Sequence, residues 1–381
     1  MTLSKNMYSI LDPDRFEPSA KWVLNDNMSL GGRGYTPSKQ NPTPQELKNG
    51  IYKPRLTLTN RINHTGRREA TLRVELSLPK LLFGNNFDEL QDSDFPTIIE
   101  ALRQKLKEMG VIVFTHLLTN APVSAVHYSK NIPLTDGTTP NYYINKIKEA
   151  NVKLSLDVNQ TDYRNDGHSF KWHCNSYEVA FYDKIKDLEM SRKSDKRSIE
   201  SDGVMQLDIF DTLKERKMFE VLRMEVRLNK RQKIGQLFRM LGIEGNITFK
   251  SVFNKQVAQK VLVYYLNELD RLRPKLIDYQ APSQRALLAD LIINNPSFGP
   301  RRILQVFGIK EALDTIKPRE LRIMFNKYSN RSWYRLIADT NNIRLPKTQD
   351  AFIAIRSQLN AFEPLKLVDF QQQMLNNDKY N

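Results

Sequence analysis

The chain has 381 residues, 40% of them hydrophobic and 27% charged, which is enough for two or three domains with ordinary globular cores. It holds no apolar run long enough to span a membrane and no apolar signal core behind Met1, and its one cysteine, Cys174, excludes an internal disulfide or a cysteine-based zinc site; together these predict a cytoplasmic protein with no membrane partner. The net charge of +15 draws the chain toward polyanions, with nucleic acid the leading partner class.

Residues 1–50 lack periodicity. Gly31-Gly32-Arg33-Gly34 and the prolines at 37, 42 and 44 predict an extended or mobile leader. Residues 51–230 then read as an α+β domain, one antiparallel sheet with helices packed on one face. Leu56 to Thr59 and Ala70 to Leu78 predict a hairpin about the turn-rich Asn60–Arg68. A helix follows, capped at Ser93 or Asp94, opened by Pro96 and closed by Gly110, with Ile98, Ile99, Leu102, Leu106 and Met109 as its apolar stripe. Val111–Leu118 and Val123–Ile132 read as strands, and a second helix runs through Pro140, Tyr143, Ile144 and Ile147. Val152–Val158 alternates as a further strand. The Asn165-Asp166-Gly167 turn leads into a strand through Tyr177, Val179 and Phe181, with Glu178, Ala180, Tyr182 and Lys184 on its other face and His173 opposite Tyr182. Lys184–Lys217 reads as helix, loop, helix, and Phe219–Leu228 as a strand. From 231 to 381 the texture is mainly helical, and the spacing of Pro318–Ile343 fits a generic helical bundle first and a DNA-binding helix-turn-helix second.

Three of these strands present a polar group on a face whose reverse is apolar: Glu75, Tyr182 and Glu225. Arg73 flanks Glu75 two residues away, and Arg223 and Arg227 flank Glu225. His127 sits similarly on a fourth strand. If the strands are neighbours, two carboxylates and an imidazole suit Mg²⁺ or Mn²⁺, the arginines can grip phosphates, and the phenol can attack phosphorus. The same pattern also describes a solvated ion-pair ladder around an ordinary strand tyrosine. No two histidines lie two residues apart, so the His-hydrophobic-His motif of one large nickase class is missing. P-loop and Gly-x-Ser-x-Gly motifs are missing as well.

Three blocks carry a resemblance. Arg73-Val74-Glu75-Leu76-Ser77-Leu78-Pro79-Lys80-Leu81-Leu82-Phe83-Gly84-Asn85-Asn86, Val179 through Glu189, and Val221-Leu222-Arg223-Met224-Glu225-Val226-Arg227-Leu228 resemble, in order, blocks of the filamentous-phage gene II/gene X replication initiators. The second and third also look like blocks of plasmid rolling-circle initiators. The match covers about residues 50–240. It implies a metal-dependent nickase and strand transferase acting on single- or double-stranded origin DNA, with host helicase and polymerase as partners. Tyr182 takes the position of the nucleophile, and Glu75 and Glu225 those of the acidic strands. His127 stands where the family often has an aspartate, which leaves either His127 as a ligand or a two-carboxylate site. Lys184 or Arg223 would lower the phenol's effective pKa, and Arg73, Arg223 and Arg227 would hold DNA phosphates. The rival expectation is a DNA-binding replication regulator or repressor without chemistry.

Overall fold

The predicted hairpin is the spine of the first sheet. In chain order this part of the chain holds β1 (Thr2–Ser4), β2 (Ser9–Ile10), β3 (Glu17–Pro18), β4 (Ser38–Gln40), α1 (Pro44–Lys48), β5 (Arg55–Ile62) and β6 (Arg68–Glu75). The structure, a computed structural model, describes residues 1–18, 37–62, 68–135, 137–150, 161–164, 168–193, 220–273, 275–346 and 350–366. β5 and β6 pair antiparallel, Arg55 opposite Glu75, and the sheet order is β1-β6-β5-β4-β3. Alternation puts Leu56, Leu72 and Val74 in the core. The described parts of residues 1–50 are not a free leader. β1 closes the edge of β6 with Thr2 opposite Arg73, and Leu3 and Phe16 are buried. Pairing and burial here rest on scattered residues, which carry no periodic signal. The Gly31–Gly34 run lies outside the described residues.

β6 stops at Glu75, and Leu78 belongs to a helix, α2 (Leu78–Phe83). Pro79 supplies the reason: it can donate no ladder hydrogen bond but suits a first helical turn. Gly84, at φ 72°, ends α2 in the left-handed region that glycine tolerates. Next come α3 (Phe95–Glu108), which buries the predicted stripe, and β7 (Val111–Ile112), which pairs with β2. The strand expected over 111–118 is therefore two residues long and gives way to α4 (Thr115–Thr119).

The second sheet is built from β8 (Val126–Leu134), then, past α5 (Pro140–Ala150), from β9 (Thr161–Arg164), β10 (Ser169–His173) and β11 (Tyr177–Asp183), and, past α6 (Lys184–Lys193), from β12 (Glu220–Leu228). Its order is β8-β12-β11-β10-β9, with every pair antiparallel. So there are two five-stranded sheets where one was expected, and Glu75 and Glu225 stand on different ones. A turn at Cys174-Asn175-Ser176 splits the stretch read as one strand into β10 and β11. It also reverses the facing of His173, which pairs with Glu178 and so shares the face of Tyr182. The expected strand 152–158, the turn 165–167 and all of 194–217 lie outside the described residues.

The helical part holds α7 (Arg231–Met240), α8 (Phe249–Val252), α9 (Lys255–Leu272), α10 (Gln284–Asn294), α11 (Pro300–Ile316), α12 (Pro318–Met324), α13 (Asn330–Asn341) and α14 (Ala351–Ala361). Of the helically spaced Val257, Val261, Tyr264, Tyr265 and Leu269, all but the half-buried Tyr264 are buried on α9. The shift of texture near 231 does not divide the core. One apolar cluster runs from Met1 to Leu359, the Tyr128 hydroxyl donates to the Val252 carbonyl at 3.0 Å, and Tyr177 packs on Tyr265 with ring centroids 5.1 Å apart. The architecture is α+β, antiparallel sheets followed by a mainly helical region. Among the described residues no helix is long and apolar enough to cross a membrane.

Candidate active site

Strand register assembles the site. Tyr182 on β11 faces Arg223 on β12, which faces Asn131 on β8; Ala180, Glu225 and Ser129 form the next row; Glu178, Arg227 and His127 form the third. These nine residues share one face, because antiparallel partners point the same way. The reverse face carries Phe181, Met224, Val179 and Val226, all buried. The polar face opens onto a cleft of about 1750 Å³ whose other wall includes Arg73 and Glu75 of the first sheet. Acidic and basic side chains line it in near-equal numbers.

Tyr182 is half-buried, and its hydroxyl donates diagonally across the strands to Glu225 Oε2 at 3.0 Å. Arg227 Nε donates to Glu225 Oε1 at 2.8 Å, and its Nη1 lies 3.1 Å from Glu178 Oε1. Burial works to raise the Glu225 carboxyl, but Arg227, by charge and hydrogen bond, with help from Arg223 and His127, holds it at about 2. Glu225 is therefore ionised at neutral pH. Burial, then the Glu225 charge, pushes the Tyr182 phenol well above its ordinary value, against Arg223. The resting phenol is a protonated donor.

Two buried cations bracket it. Lys184, fully buried, lies with its Nζ 6.0 Å from the Tyr182 ring centre. It donates to Asn86 Oδ1 at 3.0 Å and Asp187 Oδ2 at 3.1 Å. Burial lowers its pKa to about 8, against the pull of Asp187. Arg223 donates from Nη1 to the Asn86 carbonyl at 2.7 Å and from Nη2 to Ser129 Oγ at 3.1 Å. Asn86 thus holds both cations, one by its side chain and one by its backbone. The residues before it build that position: Asn85 Oδ1 accepts from the Phe87 and Asp88 amides at 2.9 and 2.8 Å, folding the loop back.

Of the residues expected from sequence, Tyr182, Glu225, Arg223, Arg227 and His127 come together on one sheet, whereas Lys184, expected on the strand face of Tyr182, is the first residue of α6 and packs beside the tyrosine from there. Arg73 and Glu75 line the opposite wall, ion-paired to each other and about half exposed. The donor set does not fit a preformed Mg²⁺ or Mn²⁺ centre. Both Glu225 oxygens are engaged, His127 Nδ1 is 4.0 Å from Glu225 Oε1, and Glu75 is held by Arg73. Among the described residues no three His, Cys, Asp or Glu side chains are placed to hold a metal ion. Sequence reasoning passed over Asn86, Ser129 and Asp187 as site residues. Asn86 closes the first block of the resemblance, and that was the available signal.

The chain was compared with protein-family models, curated proteins and solved structures, and none of the three comparisons finds a match.

Proposed function

We propose that this chain is a rolling-circle replication initiator, a site-specific nickase and strand transferase that uses Tyr182 as nucleophile on origin DNA. One observation carries the reading: a strand tyrosine on the wall of a large cleft, oriented by an ionised carboxylate and bracketed by two buried cations. An ordinary strand tyrosine needs none of this company.

In the proposed step the Tyr182 oxygen forms a bond to phosphorus as the bond from phosphorus to the 3′ oxygen breaks. The phenol's proton passes along its hydrogen bond to Glu225 and on to solvent, and the departing 3′ oxygen is protonated to a hydroxyl. Glu225, held at about 2, is too weak a base to ionise the resting phenol, so it orients the hydroxyl and accepts the proton only as attack proceeds. Lys184 and Arg223 offset the negative charge that develops on the phenol and phosphate oxygens. The phosphotyrosine link keeps the phosphodiester energy, so later rejoining needs no ATP. A host polymerase, with a helicase, would extend the free 3′-hydroxyl. The resemblance adds a requirement for Mg²⁺ or Mn²⁺; no step above runs through an ion, and the assay tests the requirement separately.

The second reading is a DNA-binding regulator without chemistry. It is favoured by the chain of ion pairs from Glu178 through Arg227 to Glu225, which is satisfied without substrate. Incubating the protein with supercoiled origin DNA, with and without Mg²⁺ or Mn²⁺, separates the two. The nickase yields nicked circles that Tyr182→Phe does not. Salt-sensitive binding without nicks supports the regulator, and full nicking by Tyr182→Phe refutes the nucleophile.

A further inference from the structure

α13 is fixed on one side and free on the other. Ser329 caps it, its Oγ accepting from the Ser332 amide at 3.2 Å. Trp333, Ile337 and Thr340 are buried, at 2%, 3% and 1% exposure. The Arg322 guanidinium of α12 lies 5.4 Å from the Trp333 ring centre, and Phe325, just past α12, lies 6.2 Å from it. These contacts lock α13 against the α12 turn. The outer side presents Arg331, Arg335, Ala338 and Asn342 in one helical row, with Tyr334 beside them, all exposed. α13 contains two arginines, Arg331 and Arg335, against one carboxylate, Asp339, a turn beyond Arg335. Arg331 and Arg335 are exposed, as is Lys327 on the preceding turn. Other cations of the helical region are held within it: Arg273 and Arg356 share Asp270, and buried Lys310 binds Asp314.

We infer that the outer face of α13 is a docking surface for duplex DNA, inserted into the major groove with its N-terminal half leading. A twelve-residue helix is roughly 18 Å long, and the groove, about 12 Å wide, admits one helix. Arg331, Tyr334 and Arg335 lie in the first half of α13, where a groove-inserted helix meets bases and flanking phosphates. The shape selects duplex over single strand, since single strands are bound in concave grooves lined by stacking aromatics. α12 before it, joined by the short turn at 325–329, braces the helix. The surface is separate from the Tyr182 face and works whether or not Tyr182 is a nucleophile.

The test uses the full chain and fluorescence anisotropy, titrating a mixed-sequence duplex and, separately, one of its strands. Arg331→Ala/Arg335→Ala is compared with Lys5→Ala/Lys107→Ala, which removes the same charge from exposed sites elsewhere. The α13 variant weakens duplex binding about tenfold or more and lowers the log–log salt slope by about 2. The control binds duplex within twofold of wild type, and single-strand binding by the α13 variant also changes less than twofold. Arg335→Glu replaces the double variant if circular dichroism shows that variant unfolded. Unchanged duplex binding, an equal loss on the single strand, or an equal loss in the control overturns the assignment. So does a fall in oligomeric mass of the α13 variant, by light scattering, with duplex binding intact, which would give the face to a second copy of the chain.

Discussion

Lys184 sits within reach of Tyr182 with no exposed surface and a pKa of about 8. Its charge is the titrating element of the proposed site, since Glu225 stays ionised throughout the neutral range. Nicking should fall as pH rises through about 8, because the cation beside the developing phenolate is lost. Lys184→Arg, whose charge does not titrate, should hold its activity above that pH; a fall shared by both proteins would place the titration elsewhere. The stability effect has the opposite sense. The folded state gives up the lysine proton near 8 and the unfolded chain near 10.5, so between those values the unfolded state holds more protons. Stability contributed by this group therefore rises with pH across that window, by about 3 kcal/mol, as the cost of burying the charge is relieved. Urea titrations of wild type against Lys184→Met at two pH values would read it. The identities of Tyr182, Glu225 and the arginines were legible in the sequence because strand alternation assigns faces. Asn86 was not, since nothing in a loop sequence says which distant cations it will hold.

The elements that position these residues show where periodicity suffices and where it fails. α3, α5, α9 and β12 were readable from their stripes, each long enough for the period to repeat. α4 was misread, because five residues are too few to separate a helical from a strand pattern. The Cys174–Ser176 turn lacks glycine and proline, so no punctuation marked it and His173 was assigned to the wrong face. α2 was hidden in the run of β6, although Pro79 and Gly84 mark both of its ends. Gly84 makes a specific prediction. A Cβ there meets nothing within 4 Å, so Gly84→Ala carries only the strain of φ 72°. The expected loss is about 1–2 kcal/mol in chemical denaturation. Because Gly84 sets the path into Asn85 and Asn86, nicking should drop further than that stability loss accounts for. A variant as active as wild type would mean that the loop does not set the cations.

At the scale of the molecule, two sheets face one cleft and a buried carboxylate ties the parts together. Glu89 accepts from Lys130 and from the Asn131 amide, both on β8, and from the Leu365 amide beyond α14 at 2.9 Å. Lys130 is 3% exposed, so removing its partner strands a buried charge. Glu89→Ala should cost about 3–5 kcal/mol by urea denaturation, and Glu89→Gln, which keeps an acceptor, less. A loss under about 1 kcal/mol would show that the tie contributes little. Alternation gives the face of a strand but not its neighbour. That is why the sequence could place Glu75 and Glu225 on similar strands without showing that they belong to different sheets. The near balance of charge along the cleft also means that the +15 of the whole chain resides elsewhere on the molecule.

The central claim is a covalent bond, and mass spectrometry of the protein–DNA adduct tests it most directly. After reaction with origin DNA, nuclease trimming and proteolysis, the peptide containing Tyr182 should carry a nucleotide through its 5′ phosphate, with the modified atom the Tyr182 phenol oxygen. A 5′-linked nucleotide on Tyr128, Tyr177 or any other residue, or nicked DNA with no adduct, would contradict the account.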